Sequence, residues 1–155
     1  VALVRNKDRL RARLGREMLS RVKVVVGDAT DLAVCRVACE GVDVVMEALA
    51  NEPRALAVPA LVQAATEAGV RNFVATGGVP ALMKLTWPEK DYEMVVRKYP
   101  LVDQFASYHL QTFQVLSESS LPAWFEVCPG DIVPARSGRP SGRIGGLAGK
   151  LDPTT

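Results

Sequence analysis

The sequence predicts an α/β fold, a parallel sheet with helices on both faces, and three observations predict it. Its apolar strands are short, continuous and rich in Val, as expected where both faces of a sheet are covered. They alternate with segments of helical periodicity. The run 22–26 also passes through Gly27-Asp28 straight into a helix start, which sets an acid at the carboxyl end of a buried strand, where ligands of open parallel sheets lie.

Each element follows from its own residues. The chain opens in a strand over 1–4 that ends in Arg5-Asn6, and residues 8–19 form a basic helix with Leu10, Leu14 and Met18 recurring on one face. After the strand 22–26, Thr30 or Asp31 caps a helix by accepting backbone N–H bonds, and Gly41 stops it. Residues 42–46 are the third strand. The stretch 53–68 is helical in composition and closes at Gly69, but Pro59 lacks an N–H, so the regular helix is expected to begin near Pro59. Residues 72–75 form the fourth strand, ending in Thr76-Gly77-Gly78. Pro80, Trp87, Pro88 and Pro100 suggest a long loop over 79–100 with a short helix near 92–96. A helix over 102–119 turns Leu110, Phe113 and Leu116 inward, Leu121-Pro122 breaks it, and 123–127 is the last strand. The Pro-, Gly- and Ser-rich residues 131–155 read as an irregular tail.

At 155 residues and 48% hydrophobic, the chain is expected to be one domain, 1–155, with its own core. No apolar run nears the roughly 20 residues of a membrane helix and no signal peptide opens the chain, so no membrane is expected and the default compartment is the cytosol. Cys35, Cys39 and Cys128 have no paired metal spacing, and Cys35 and Cys39 read as small core residues. The formal charge of +2 is uneven: eight Lys or Arg within 1–23 face only Asp8 and Glu17, and Arg136, Arg139, Arg143 and Lys150 form a second cluster. Such a run is either a solvated helix face or a phosphate-binding surface. Nucleic acid is not expected, because no binding motif accompanies the charges and aromatics make up only 6% of the chain.

The residues just after each strand form a set. Arg5 follows the first, placed to pair bidentately with a ribose 2′-phosphate, and Arg9 lies a turn further on. Asp28 with Ala29 follows the second, where a carboxylate accepts from an adenine amino group. Ala48-Leu49-Ala50 follows the third, small enough for close approach of a ribose. Thr76-Gly77-Gly78 follows the fourth, where missing side chains leave room for a nicotinamide ring, and Cys128-Pro129-Gly130 the fifth. Taken singly, each is as well explained as a cap, a turn or a surface charge.

In that order and spacing these segments resemble the atypical, NmrA-like short-chain dehydrogenase/reductases, nearest to the NADH-flavin reductases and the flavin reductases of the biliverdin reductase B type. Residues 1–6 are similar to the family's second strand, 25–28 to its third, 74–78 with Ala81-Leu82 to its Gly-Gly segment, 109–119 to its late helix, and 124–130 to the strand and Pro turn after it. The resemblance implies a Rossmann-like sheet of order 3-2-1-4-5-6, NADP or alternatively NAD as cofactor, and hydride transfer to a flavin or similar small aromatic acceptor. It also implies that Arg5 and Arg9 hold the 2′-phosphate, that Asp28 and Ala29 meet the adenine, and that Ala48, Leu49, Ala50, Thr76, Gly77, Gly78 and Pro129 line the rest of the dinucleotide.

Three departures qualify that reading. Gly78 stands where some relatives carry a serine. Tyr108 is followed by Thr112 where a Tyr-x-x-x-Lys pair has its lysine, which argues against carbonyl reduction by a tyrosine acid and leaves His109 as the candidate proton donor, or else a structural histidine. The glycine-rich turn that binds pyrophosphate, with the first, central strand of the sheet, does not precede residue 1; the glycines of 142–149 do not join strand to helix and fail the phosphate-loop pattern at Leu151. The domain is therefore expected to be N-terminally incomplete and, as this polypeptide alone, to fold poorly and bind NADP weakly. A regulatory or scaffold protein that binds the dinucleotide without chemistry, or a nonfunctional remnant, are the alternatives to the reductase.

Overall fold

The computed structural model describes residues 1–129; the irregular tail, the second basic cluster and the late glycines lie outside the described residues. The order is β1 (Ala2–Val4), α1 (Lys7–Ser20), β2 (Val24–Val26), α2 (Leu32–Cys39), β3 (Val44–Glu47), α3 (Asn51–Glu67), β4 (Asn72–Thr76), α4 (Val79–Thr86), α5 (Glu89–Lys98), α6 (Leu101–Ser117) and β5 (Trp124–Val127). Every strand pairing is parallel, with Leu3 opposite Val25, Val45 opposite Phe73 and Phe73 opposite Trp124. The strands divide into two groups, β1-β2 and β3-β4-β5. Among the described residues β1 therefore bonds only β2, and β3 only β4.

Local chemistry sets the helix ends. Asn6 caps α1 by accepting the Arg9 N–H at 2.8 Å, and Asp31 caps α2 by accepting from Ala33 at 2.8 Å. At the end of α3, Gly69 adopts φ +70°, which lets its N–H reach the Thr66 carbonyl and the Val70 N–H reach Ala65, closing the helix in a Schellman turn. Within α1, Gly15 at φ +73° kinks the helix. No residue of that helix is buried, and the expected inner residues Leu14 and Met18 stand exposed.

Two expectations built on proline are corrected. Helix α3 begins at Asn51, not near Pro59, and carries Pro59 on its exposed side; Pro53 occupies its first turn, where no N–H is needed. The stretch 79–100 is not a long loop but helices α4 and α5. Pro80 sits in the first turn of α4, and Pro88 and Pro100 are the N-caps of α5 and α6. Proline's fixed φ suits a helix start, so these residues open helices where they seemed to break them.

The core lies between α2, α3 and α6 and the sheet face that carries Val45, Phe73, Ala75 and Trp124. Cys35, Val58, Phe73 and Leu116 are fully buried in it, and Cys39 is nearly so. The inward stripe of α6 is Ala106, His109, Thr112 and Leu116, while Phe113 is turned partly outward and meets Trp124 edge to face at 5.5 Å. On the opposite face of the same sheet Met46 is 78% exposed, and Val44, Phe125 and Val127 are exposed beside it.

Candidate functional site

A cleft of about 770 Å³ opens where the carboxyl ends of β1 and β2 meet the start of α3. It gathers Arg5, Arg9, Asp28, Ala29, Leu49 and Ala50, six of the residues the sequence singled out. Because β3, β4 and β5 run parallel to one another, the turns after β4 and β5 share the rim on which Ala50 lies. Ala48 is exposed and Pro129 half-buried, and neither lines the cleft.

The electrostatics of the cleft are set by a few groups. Asp28 Oδ1 accepts the Thr30 N–H and hydroxyl, both at 2.9 Å, and these bonds, with Arg5 nearby, hold its carboxyl below the usual carboxylate range. The side chain thus braces its own turn with one oxygen, and the other has no hydrogen bond among the described residues. Arg5 and Arg9 are exposed, and neither guanidinium has an ion-pair partner among the described residues. Ala50 provides no side-chain cap for α3, so the first N–H groups of that helix are not met by one.

The remaining predicted residues, Thr76, Gly77, Gly78 and His109, collect in a second group built around charges that the sequence reading passed over. Arg54 is 1% exposed, and the carboxylate of Glu47 is buried against it at 3.2 Å. Glu47 also accepts the Leu49 N–H at 2.5 Å and the Thr76 N–H at 3.4 Å, and its carbonyl accepts the Thr76 hydroxyl at 2.7 Å. Burial pushes the Glu47 carboxyl up and the Arg54 guanidinium down. Glu126, half-buried on β5, is likewise raised by burial. Both acids lie on the core face of the sheet, because Glu47 is paired with Ala75 and Ala75 with Glu126. The signal available in the sequence was positional: Arg54 heads the stripe Ala57, Val58, Leu61 that α3 buries.

Gly77 and Gly78 leave no open room for a ring on the core side. A Cβ at Gly78 would lie 2.5 Å from the His109 ring, and one at Gly77 would lie 2.5 Å from Cys128 Sγ. Both spaces are filled by the chain's own side chains. His109 itself is 7% exposed, and burial followed by the Arg54 charge lowers its pKa, so it is neutral at pH 7. Since φ at Gly78 is an ordinary −143°, substitution there is limited by space alone. Gly78→Ala is therefore expected to displace His109 and cost about 1–3 kcal/mol, measured by urea unfolding; an unchanged midpoint would show that the ring moves freely.

Residues 1–144 match the model of a family described as NAD(P)H-binding. Two solved structures are similar in fold. An Escherichia coli NADPH-dependent quinone oxidoreductase, complexed with NADPH, matches with a TM-score of 0.59 at 22% identity over 83% of this chain. The Citrobacter sp. triphenylmethane reductase, complexed with NADP(H), matches with a TM-score of 0.53 at 19% identity over 79%. The chain spans 38% of the length of each of them. No curated protein matches it. Among the described residues, no helix is long and apolar enough to cross a membrane.

Proposed function

This chain belongs to the NAD(P)H-binding family that its residues 1–144 match, and from that we propose that the cleft takes the adenosine end of NADPH and that the protein is an NAD(P)H-dependent oxidoreductase acting on a flavin or similar ring acceptor. One observation carries the reading: two guanidiniums without ion-pair partners, Arg5 and Arg9, share a cleft with an ionised carboxylate at the carboxyl rim of a parallel sheet. The volume suits a ligand of this size, since small-molecule sites run from about 300 to 1,000 Å³.

The roles follow from what each group can do. Arg5 and Arg9 bind the 2′-phosphate, for which a planar cationic fork is well shaped. Asp28 holds its turn through Thr30 with one oxygen and accepts from the adenine amino group with the other. Leu49 and Ala50 bring the uncapped start of α3 close to the ribose and phosphates, and helix starts favour anions. When bound, the dinucleotide supplies the hydride. His109, neutral and buried, does not serve as a strong acid near pH 7; solvent delivers the proton to a flavin-type acceptor, and stacking of the two rings provides the orientation.

Replacing Arg5 and Arg9 together with Gln is expected to weaken NADPH binding by about 10- to 100-fold, as loss of one or two charge-assisted bonds of roughly 1.5 kcal/mol requires. NADH binding, which involves no 2′-phosphate, should change little. Calorimetric titration with both nucleotides checks this, and equal losses for the two would overturn the assignment. A second reading, dinucleotide binding without catalysis, is favoured by the burial of His109 and is distinguished by NADPH oxidation with added FMN: tight binding without turnover selects it.

A further inference from the structure

We infer that Arg54 is a positioning residue that fixes His109 as a single tautomer, with Nδ1 bare and the proton on Nε2, on the rim of the sheet after β4. The inference deepens the proposed function, and only the use made of the fixed donor rests on that reading. The two terminal nitrogens of the Arg54 guanidinium carry two hydrogens each. Nη2 donates to the Leu49 carbonyl at 3.0 Å and pairs in charge with the Glu47 carboxylate, whose Oε1 lies 3.2 Å away. Nη1 donates to the Thr76 carbonyl and faces His109 Nδ1 at 2.9 Å. Both hydrogens of Nη1 then have an acceptor, provided that Nδ1 is one of them.

A guanidinium donates and never accepts, so an Nδ1 that carried a proton would set two donors against each other in a buried place. The proton therefore resides on Nε2, and Nε2 and Cδ2 form the ring edge packed against Gly78. The fork cannot swing away, because α3 carries it, β3 supplies Glu47 and the turn after β4 begins at the Thr76 carbonyl. Arg54 from α3 is the charged group that acts on the imidazole, together with the Thr76 carbonyl from β4, and Glu47 from β3 and Glu126 from β5 act in turn on Arg54. Glu126 Oε1 and Arg54 Nε are buried without partners, so the cluster is held through the terminal nitrogens alone.

In the proposed reductase this gives the rim a permanent neutral N–H donor near Gly78 in place of an acid that loses its proton near pH 7. Such a donor meets the Gly78 turn from the core side, and its strength does not vary with pH across the neutral range.

The test is direct because His109 is the sole histidine of the 155-residue chain. Long-range ¹H–¹⁵N correlation spectra of the labelled full chain report both ring nitrogens without assignment. A bare, pyridine-type Nδ1 and a protonated, pyrrole-type Nε2 that persist through neutral pH are expected. In Arg54→Met the tautomers should mix and the ring should titrate nearer its ordinary value of 6.5, whereas Glu126→Gln should keep the single tautomer. Should Arg54→Met not fold, Arg54→Gln, whose amide can accept as well as donate, is expected to show the same mixing. A protonated Nδ1 or mixed tautomers in the unaltered chain overturns the inference, as does an unchanged spectrum in the folded Arg54 variants. The spectra need no dinucleotide, so their outcome is separate from that of the NADPH titrations.

Discussion

Glu47→Ala is expected to lower the stability of the fold by about 3–5 kcal/mol, the cost of taking one partner from a buried ion pair. Set against a typical domain stability of about 5–15 kcal/mol, that is a fifth or more of the total. The Glu47 carboxylate is fully buried, and it serves Arg54, the Leu49 N–H and the Thr76 N–H together. Ala takes the carboxylate away from all three and leaves the guanidinium with Glu126, which makes no hydrogen bond to it. Glu47→Gln keeps an acceptor oxygen and should cost distinctly less. The double variant Glu47→Leu with Arg54→Met should recover part of the loss, because apolar groups of similar volume replace a buried pair at little cost. It will not recover all of it, since the Leu49 and Thr76 carbonyls lose a donor. Urea unfolding of the three variants checks the series, and a loss below about 1 kcal/mol in Glu47→Ala would mean that Glu126 already compensates the charge.

Much of the fold was legible because its strands are written in Val. Runs such as 22–26 and 42–46 are too short and too β-branched to be helices, and their carboxyl ends bring Arg5, Asp28 and Ala50 into one cleft as position alone suggests. Proline misled in both directions. Pro80, Pro88 and Pro100 resemble loop signals but open three consecutive helices, and Pro59 sits inside a 17-residue helix whose tertiary packing outweighs one lost hydrogen bond. Charge misled as well. Glu47 and Arg54 look like surface residues until the strand register places Glu47 beside Ala75, and the helical stripe carries Arg54 beneath it. Gly77 and Gly78 read in the sequence as room for a nicotinamide ring, but on the core side that space is taken by Cys128 and His109.

Joining a strand, a glycine-rich turn and a helix ahead of Val1 is expected to tighten NADPH binding by at least about 100-fold and to raise the melting temperature. Among the described residues two strand edges are open. β1 pairs on one side with β2, β3 pairs on one side with β4, and both lead into the cleft, with Leu3 and Val4 on one wall and Leu49, Leu56 and Ala57 on the other. Open edges are sites that accept a further strand. Leu56, 69% exposed on the cleft wall, is apolar surface that such a strand covers. In the strand order that the sequence resemblance implies, one parallel strand lies between these edges, and the turn after it points its backbone N–H groups at the pyrophosphate. Two such bonds to a charged group, at roughly 1.5 kcal/mol each, account for the 100-fold. The two contributions separate in a variant whose turn glycines are replaced by Val: the strand still pairs and the melt stays raised, while the affinity gain is lost because side chains block the phosphates. Thermal melts and calorimetric titration of the 155-residue chain, the extended chain and the blocked extension decide it. An extended chain with the same melt and the same affinity as the original would show that the two edges do not form a slot for a strand.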